Sequence, residues 1–294
     1  MRRLVPALLL LAALGACWRK AQSPEPPASS AKESSQDSLK DSPPARPQDT
    51  TAPGAVLFIS ADLRGYLAPC GCSENMRGGI ARAAFQVREA GKGPLPVLYV
   101  DGGESLFGDS TLKPEQVPQE ERKARALAEV FKDMGLAVRA VSELDDVRGA
   151  AFRQGLGLPE LPTGGVKVLA AGARKVGVVS AADAAGLQRG DAQARAQGAS
   201  FVVGLFQGTL PEAQRAVASA ELGVDLVVAT HTASEFDGEQ NTLTRDAVPV
   251  VGLQSKGRSL LRVDLAYGAT PGRFTPQRSA QEAEKEVASL ERRM

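Results

Sequence analysis

Short runs of β-branched and apolar residues, most of them closed by a glycine-rich or polar loop, recur between residues 56 and 267 and restrict the chain to few architectures. They read VLFIS at 56–60, PVLYVDGG at 96–103, AVRAVS at 137–142, VKVLAAG at 166–172, KVGVVSAAD at 175–183, FVVGLF at 201–206, DLVVAT at 225–230 and VPVVGLQSKGRSLLRVDLAY at 248–267. Runs apolar at consecutive positions suit strands covered on both faces, as in sheets sandwiched by helices. Helical patterns intervene. QEERKARALAEVFKDMG places Leu127, Val130, Phe131 and Met134 on one face, and PEAQRAVASAELG leads straight into DLVVAT. The predicted class is α/β, a layered sandwich of mixed β-sheets flanked by helices. VKVLAAGARKVGVVS and VVGLQSKGRSLLRVDL each read as a hairpin turning on glycine with arginine or lysine, which makes the sheets mixed.

The N-terminus is of another kind. MRRLVPALLLLAALGAC carries two arginines, an apolar run from Leu4 to Leu14, and small residues before Cys17. That is the pattern of a secretory signal peptide, too short to span a bilayer as a helix. Leu14-Gly15-Ala16-Cys17 further resembles the bacterial lipobox, in which the cysteine is lipid-modified and becomes the new N-terminus. Trp18 stands where an inner-membrane retention signal would place aspartate, so the resemblance implies a cell-envelope lipoprotein of the outer membrane, facing the periplasm or the cell surface.

Residues 18–54 are proline, serine, alanine and charge, too poor in large apolar groups to offset the entropy of ordering. They are expected to form a disordered tether, with a globular domain over 55–268 and a tail over 269–294. In that tail Ser279 and Glu282 form a capping box ahead of Ala283, Val287, Leu290 and Met294, which predicts a surface helix. The formal charge is +1, and losing Arg2 and Arg3 with the leader makes it slightly negative. No basic field recommends nucleic acid as a partner. The implied partners are a membrane, through Cys17, and an envelope protein.

In layered α/β domains the loops after strand C-termini collect the functional groups. Here these are ADLRGYLAPCGC, DGGESLFG, SELDD, FQGT and THTASE. Taken in order they resemble the loops of the calcineurin-like metallophosphoesterases, most closely the catalytic domain of periplasmic 5'-nucleotidases. That family follows its first strand with Asp-x-His, and this chain has Asp62-Leu63-Arg64. The family's Gly-Gly-Leu-Ala-Arg appears as Gly78-Gly79-Ile80-Ala81-Arg82, and its Asp-x-Gly-Asp as Asp101-Gly102-Gly103-Glu104. Its Gly-Asn-His-Glu falls near Val141-Ser142-Glu143, its lone histidine at Phe206, and its Gly-His-x-His at Thr230-His231-Thr232-Ala233.

The glycine motif, with Gly78, Gly79 and Arg82, is nearly complete; the metal-ligand motifs are not. The resemblance implies two divalent metals held partly by imidazoles. This chain has a single histidine, His231, and Arg64 stands at a ligand position although a guanidinium only donates hydrogen bonds. The residual candidates are Asp62, Glu104 and His231, enough for at most one divalent ion, with Arg64 available to pair with the carboxylates. Their ordinary readings are an Asp62 that pairs or caps a turn, a solvated Glu104 and a hydrogen-bonded scaffold histidine.

Cys70 and Cys72 remain. The Pro-Cys-Gly-Cys segment resembles a bacterial subgroup of the same family, in which it leads into Gly-Gly-Leu-Ala-Arg. Three readings stay open: a small-ring disulfide relaxed by Gly71, favoured by an oxidising compartment; a soft-metal chelate for Cu(I) or Zn(II); or passive thiols. The functional expectation is a non-catalytic binding or scaffold module with at most one divalent metal ion as cofactor. The alternatives are a metal-dependent phosphoesterase with an altered site and a redox or copper-binding lipoprotein centred on Cys70 and Cys72.

Overall fold

Two mixed β-sheets face one another, with helices on their outer surfaces, in the computed structural model, which describes residues 52–69, 78–232, 241–242 and 248–267. The described residues fall in one compact unit, Thr50–Met294. Cys17, Cys70, Cys72, most of the tether and the predicted tail helix lie outside them.

The first half of the domain runs β1 (Ala52–Ser60), α1 (Ile80–Gly91), β2 (Val97–Asp101), α2 (Val117–Asp133), β3 (Leu136–Ala140), a 3-10 turn at Leu144–Asp146, α3 (Gly149–Gly155) and β4 (Glu160–Leu161). The second half runs β5 (Val166–Ala171), β6 (Arg174–Ala181), α4 (Ala184–Ala196), β7 (Phe201–Thr209), α5 (Leu210–Ala218), β8 (Leu226–His231), β9 (Asn241–Thr242) and β10 (Val250–Gly252). The last strand, β11 (Leu261–Tyr267), returns to the first sheet. Sheet orders are β11-β1-β2-β3-β4 and β5-β6-β7-β8-β10-β9. Strands β1 to β4 are parallel, as are β6, β7, β8 and β10, whereas β11, β5 and β9 run antiparallel to their neighbours.

The strand period of two explains the layering. In β1, Leu57 and Ile59 point between the sheets with Val100, Val138, Val178, Val203, Leu205 and Val228. Val56 and Phe58 point the other way, onto Ile80 and Val87 of α1 and Leu127 and Phe131 of α2. Leu187 of α4 and Ala213 of α5 cover Val179, Val202 and Val227 on the second sheet. Each such large side chain taken fully from water contributes about 1.5–3 kcal/mol before entropy is counted. Helix starts are fixed locally: the Asp183 carboxylate accepts from the Gly186 N–H at 2.6 Å at the head of α4. At the head of α5 the Thr209 N–H donates to Glu212 at 2.8 Å.

One hairpin forms as expected, β5 with β6. The other does not: β10 pairs with β8 in the second sheet and β11 with β1 in the first, so VVGLQSKGRSLLRVDL crosses between sheets. β10 lies between β8 and β9 while β11 forms an edge beside β1, and the intervening segment, with Lys256 and Gly257 in left-handed backbone, bonds to the Asp62 and Gly79 backbone. Strand β1 begins at Ala52, slightly before the expected domain start.

Candidate functional site

The carboxyl ends of β1, β2, β7 and β8 meet at one edge of the two sheets. Two backbone segments, 62–65 and 103–105, run side by side there: the Asp62 N–H donates to the Gly103 carbonyl (2.9 Å), Arg64 to Glu104 (3.0 Å) and Gly65 to Ser105 (2.8 Å). Asp62, Arg64 and Glu104 all adopt left-handed backbone, with φ of 55°, 49° and 56°. For non-glycine residues this costs of order 1–3 kcal/mol each and persists where surrounding bonds over-determine it. Those three cross-links supply that determination.

The glycine pair secures the segment from below. Gly78 and Gly79 have φ of 93° and 74°, and a Cβ on Gly79 would lie 2.5 Å from the Ala68 carbonyl carbon. The Gly79 N–H donates to the Lys256 carbonyl (2.9 Å), and the Lys256 N–H donates to the Asp62 carbonyl (2.7 Å). Gly78 and Gly79 therefore link the β1 loop, α1 and the β10–β11 crossing through backbone contacts only a glycine permits. Arg82 is exposed on α1.

The three residual candidates converge, and Arg64 stands among them. Asp62 is 1% exposed. Its Oδ1 accepts from Arg64 Nε at 2.6 Å, and its Oδ2 accepts from the Thr232 N–H at 3.1 Å and Arg64 Nη2 at 3.4 Å. Arg64 Nη2 also donates to the Thr232 carbonyl at 3.3 Å. Glu104 is 7% exposed, so it is not the solvated loop residue its position suggests, and its Oε2 is buried without a hydrogen-bond partner. His231 Nδ1 lies 3.8 Å from that oxygen, an ion-pair separation beyond hydrogen-bonding reach. The Glu104 carboxylate raises the His231 pKa above the usual imidazole value against burial, with Asp62 adding to the rise and Arg64 opposing it. His231 is also no enclosed scaffold residue, since its side chain is 41% exposed. Phe206, at the lone-histidine position, is core, and its carbonyl accepts from the Thr230 hydroxyl at 3.0 Å. Ala233 lies outside the described residues.

Beneath the site are groups the sequence reading did not single out. Asp145, fully buried, accepts from the backbone N–H groups of Glu104 (3.1 Å), Ser105 (3.0 Å), Leu106 (3.0 Å) and Ser142 (3.1 Å). It also takes the Ser142 hydroxyl at 2.6 Å and pairs with the fully buried Arg139. Asp101, at the end of β2, accepts from the hydroxyls of Ser60 (2.6 Å) and Ser105 (3.0 Å) and from the Gly103 N–H (3.1 Å). Burial pushes its pKa up to about 7, against Arg139 and the serine hydroxyls. The legible signal for this network was an arginine inside the otherwise apolar strand AVRAVS, followed closely by the acidic SELDD.

The fold these elements build is that of the metallophosphoesterases. Among similar solved structures, sulfate thiohydrolase SoxB from Thermus thermophilus aligns over 73% of this chain and 54% of its own at 16% identity and a TM-score of 0.55. A putative 5'-nucleotidase from Staphylococcus aureus aligns over 80% and 58% at 13% identity and 0.56. The calcineurin-like phosphoesterase YfkN from Bacillus subtilis aligns over 72% and 84% at 15% identity and 0.52. This chain thus spans little more than half the length of the first two. No protein-family model matches it, and no curated protein does.

The donor set does not fit the two-metal centre that the resemblance implies. Both Asp62 oxygens are engaged by the Arg64 guanidinium, which would repel a cation, and one of them also by the Thr232 N–H. Among the described residues no three His, Cys, Asp or Glu side chains form a group able to hold a metal ion. What the arrangement offers chemically is a cluster of charged groups of both signs, Asp62, Glu104 and Arg64, beside a half-exposed imidazole whose pKa is raised.

Proposed function

We propose that this chain is an envelope lipoprotein whose body uses the metallophosphoesterase fold as a non-catalytic binding or scaffold module. The observation that carries the reading is Arg64, whose guanidinium lies on the carboxylate of Asp62 at 2.6 Å. Hydrolysis of a phosphoester by this fold's chemistry needs a cation at that carboxylate to polarise the phosphate and lower the pKa of an attacking water. A guanidinium can attract an anion but cannot deliver a hydroxide. The same groups suit recognition: Arg64 and the His231 imidazole present donors, and Glu104 an acceptor, toward a polar ligand or an envelope partner.

Purified protein supplied with Mn(II), Zn(II) or Co(II) is expected to release no phosphate above background from 5'-nucleotides or a chromogenic phosphoester. Turnover that disappears with Asp62→Ala or His231→Ala would instead establish a hydrolase with an altered metal site.

The anchor belongs to the same reading, on the strength of Leu14-Gly15-Ala16-Cys17. Cys17→Ser is expected to move the protein from the membrane fraction to the soluble one. Unchanged sedimentation with membranes would show that something else holds it there.

A further inference from the structure

Helix α3 buries none of its seven residues. A helix that short does not persist on its own backbone bonds, and most helices are held by an apolar face that α3 lacks. Gly149 opens it with φ 77° and Gly155 closes it. A Cβ at either position would meet nothing within 4 Å, so these glycines supply backbone freedom and not room. Few contacts remain to hold the element in place. The partly buried Phe152 ring lies 5.9 Å from that of Phe107 and 4.9 Å from the Arg125 guanidinium. Arg153 makes two ion pairs, Nε with Asp146 at 3.1 Å and Nη1 with Glu160 at 2.5 Å.

Those two pairs lead inward. Glu160 of β4 stands opposite Arg139 of β3 with their charged groups 3.8 Å apart, and Arg139 pairs with Asp145. Asp146 is the chain neighbour of Asp145. Arg153, Glu160, Arg139, Asp145 and Asp146 therefore close a circuit of charges, exposed at Asp146 and fully buried at Arg139 and Asp145. At its buried end Asp145 accepts from the N–H groups of Glu104, Ser105 and Leu106. The loop that carries Glu104 thus hangs on the circuit that pins α3. Charges so linked are not independent. Without Arg153, Glu160 keeps only Arg139 as a cationic neighbour and competes with Asp145 for it.

We propose that α3 is an ion-latched flap: Arg153 docks it, and release of Arg153 loosens the 104–106 loop through Glu160, Arg139 and Asp145, so that order at the Glu104 corner is set from the α3 surface. The two-state element is α3 itself, docked or released. This coupling goes beyond the non-catalytic reading and does not depend on whether the site is catalytic.

Hydrogen exchange followed by mass spectrometry tests it on the full-length protein, comparing the wild type with Arg153→Ala and Arg153→Lys. Arg153→Ala is expected to exchange about ten-fold faster over both 149–155 and 104–106, while β6 and β7 keep their wild-type rates. Arg153→Lys retains the charge but not the fork that serves two carboxylates at once, and is expected to fall between the two.

Faster exchange confined to 149–155 would overturn the coupling, and wild-type exchange over 149–155 would overturn the latch. Equal acceleration of β6 and β7 would mean a general loss of stability and would overturn both. Should Arg153→Ala fail to fold, Arg153→Lys carries the same three comparisons. Failure of both to fold would show that Arg153 supports the whole domain and not a flap, which also sinks the proposal.

Discussion

Asp145→Ala is expected to remove most of the stability of the domain. The carboxylate is fully buried, pairs with an equally buried Arg139, and accepts from the N–H groups of Glu104, Ser105, Leu106 and Ser142. Truncation leaves a guanidinium without its counter-charge, which alone costs about 3–5 kcal/mol. It also orphans backbone donors at about 1–3 kcal/mol for each that water cannot reach. A domain of ordinary stability, about 5–15 kcal/mol, has little margin for that sum.

Urea unfolding followed by circular dichroism measures the effect. Adding Arg139→Met to Asp145→Ala should recover the ion-pair part and leave the loop part lost. Glu160, 3.8 Å from Arg139 on its other side, is too distant to take over as sole partner. A single variant within about 1 kcal/mol of the wild type would show that the 103–106 loop does not depend on this acceptor.

The second large effect is one of pH, through Asp101. Burial raises its folded pKa to about 7, well above that of an aspartate in the unfolded chain. The folded state therefore keeps the proton longer than the unfolded state does. This contribution to stability is fully present below about pH 4 and is lost as pH rises through 7. Between pH 5 and pH 7.5 the loss is on the order of 2–3 kcal/mol.

Other titrating groups add their own pH dependence, so the informative quantity is the difference between the wild type and Asp101→Asn across that window. The variant keeps the shape, and the hydroxyls of Ser60 and Ser105 can rotate to serve an amide. Its unfolding free energy should lack the Asp101 decline from pH 5 to 7.5. Parallel curves for the two proteins would show that Asp101 is already ionised in the folded state at pH 5.

Much of the architecture was legible because it rests on local periodicity. The alternation that buries Leu57 and Ile59 on one side of β1 and Val56 and Phe58 on the other is written in consecutive residues. The failed hairpin shows the limit. VVGLQSKGRSLLRVDL contains a good turn, but which edge each arm joins depends on strands β8 and β1, distant in sequence, and not on the turn itself.

What the sequence by itself determined was the layered α/β class, the Gly78-Gly79 motif as a mark of the fold, and the shortage of imidazoles for the metal centre the resemblance implies. What only the tertiary structure decided was the state of the remaining site: Arg64 resting on Asp62, Glu104 buried and not solvated, Asp145 gathering the amides of a loop some forty residues away. The physical reason is that periodicity acts between neighbours, whereas these charges interact through space. Asp62 and Thr232 meet across 170 residues of chain, and the burial that sets the cost of each charge exists only once both sheets have closed.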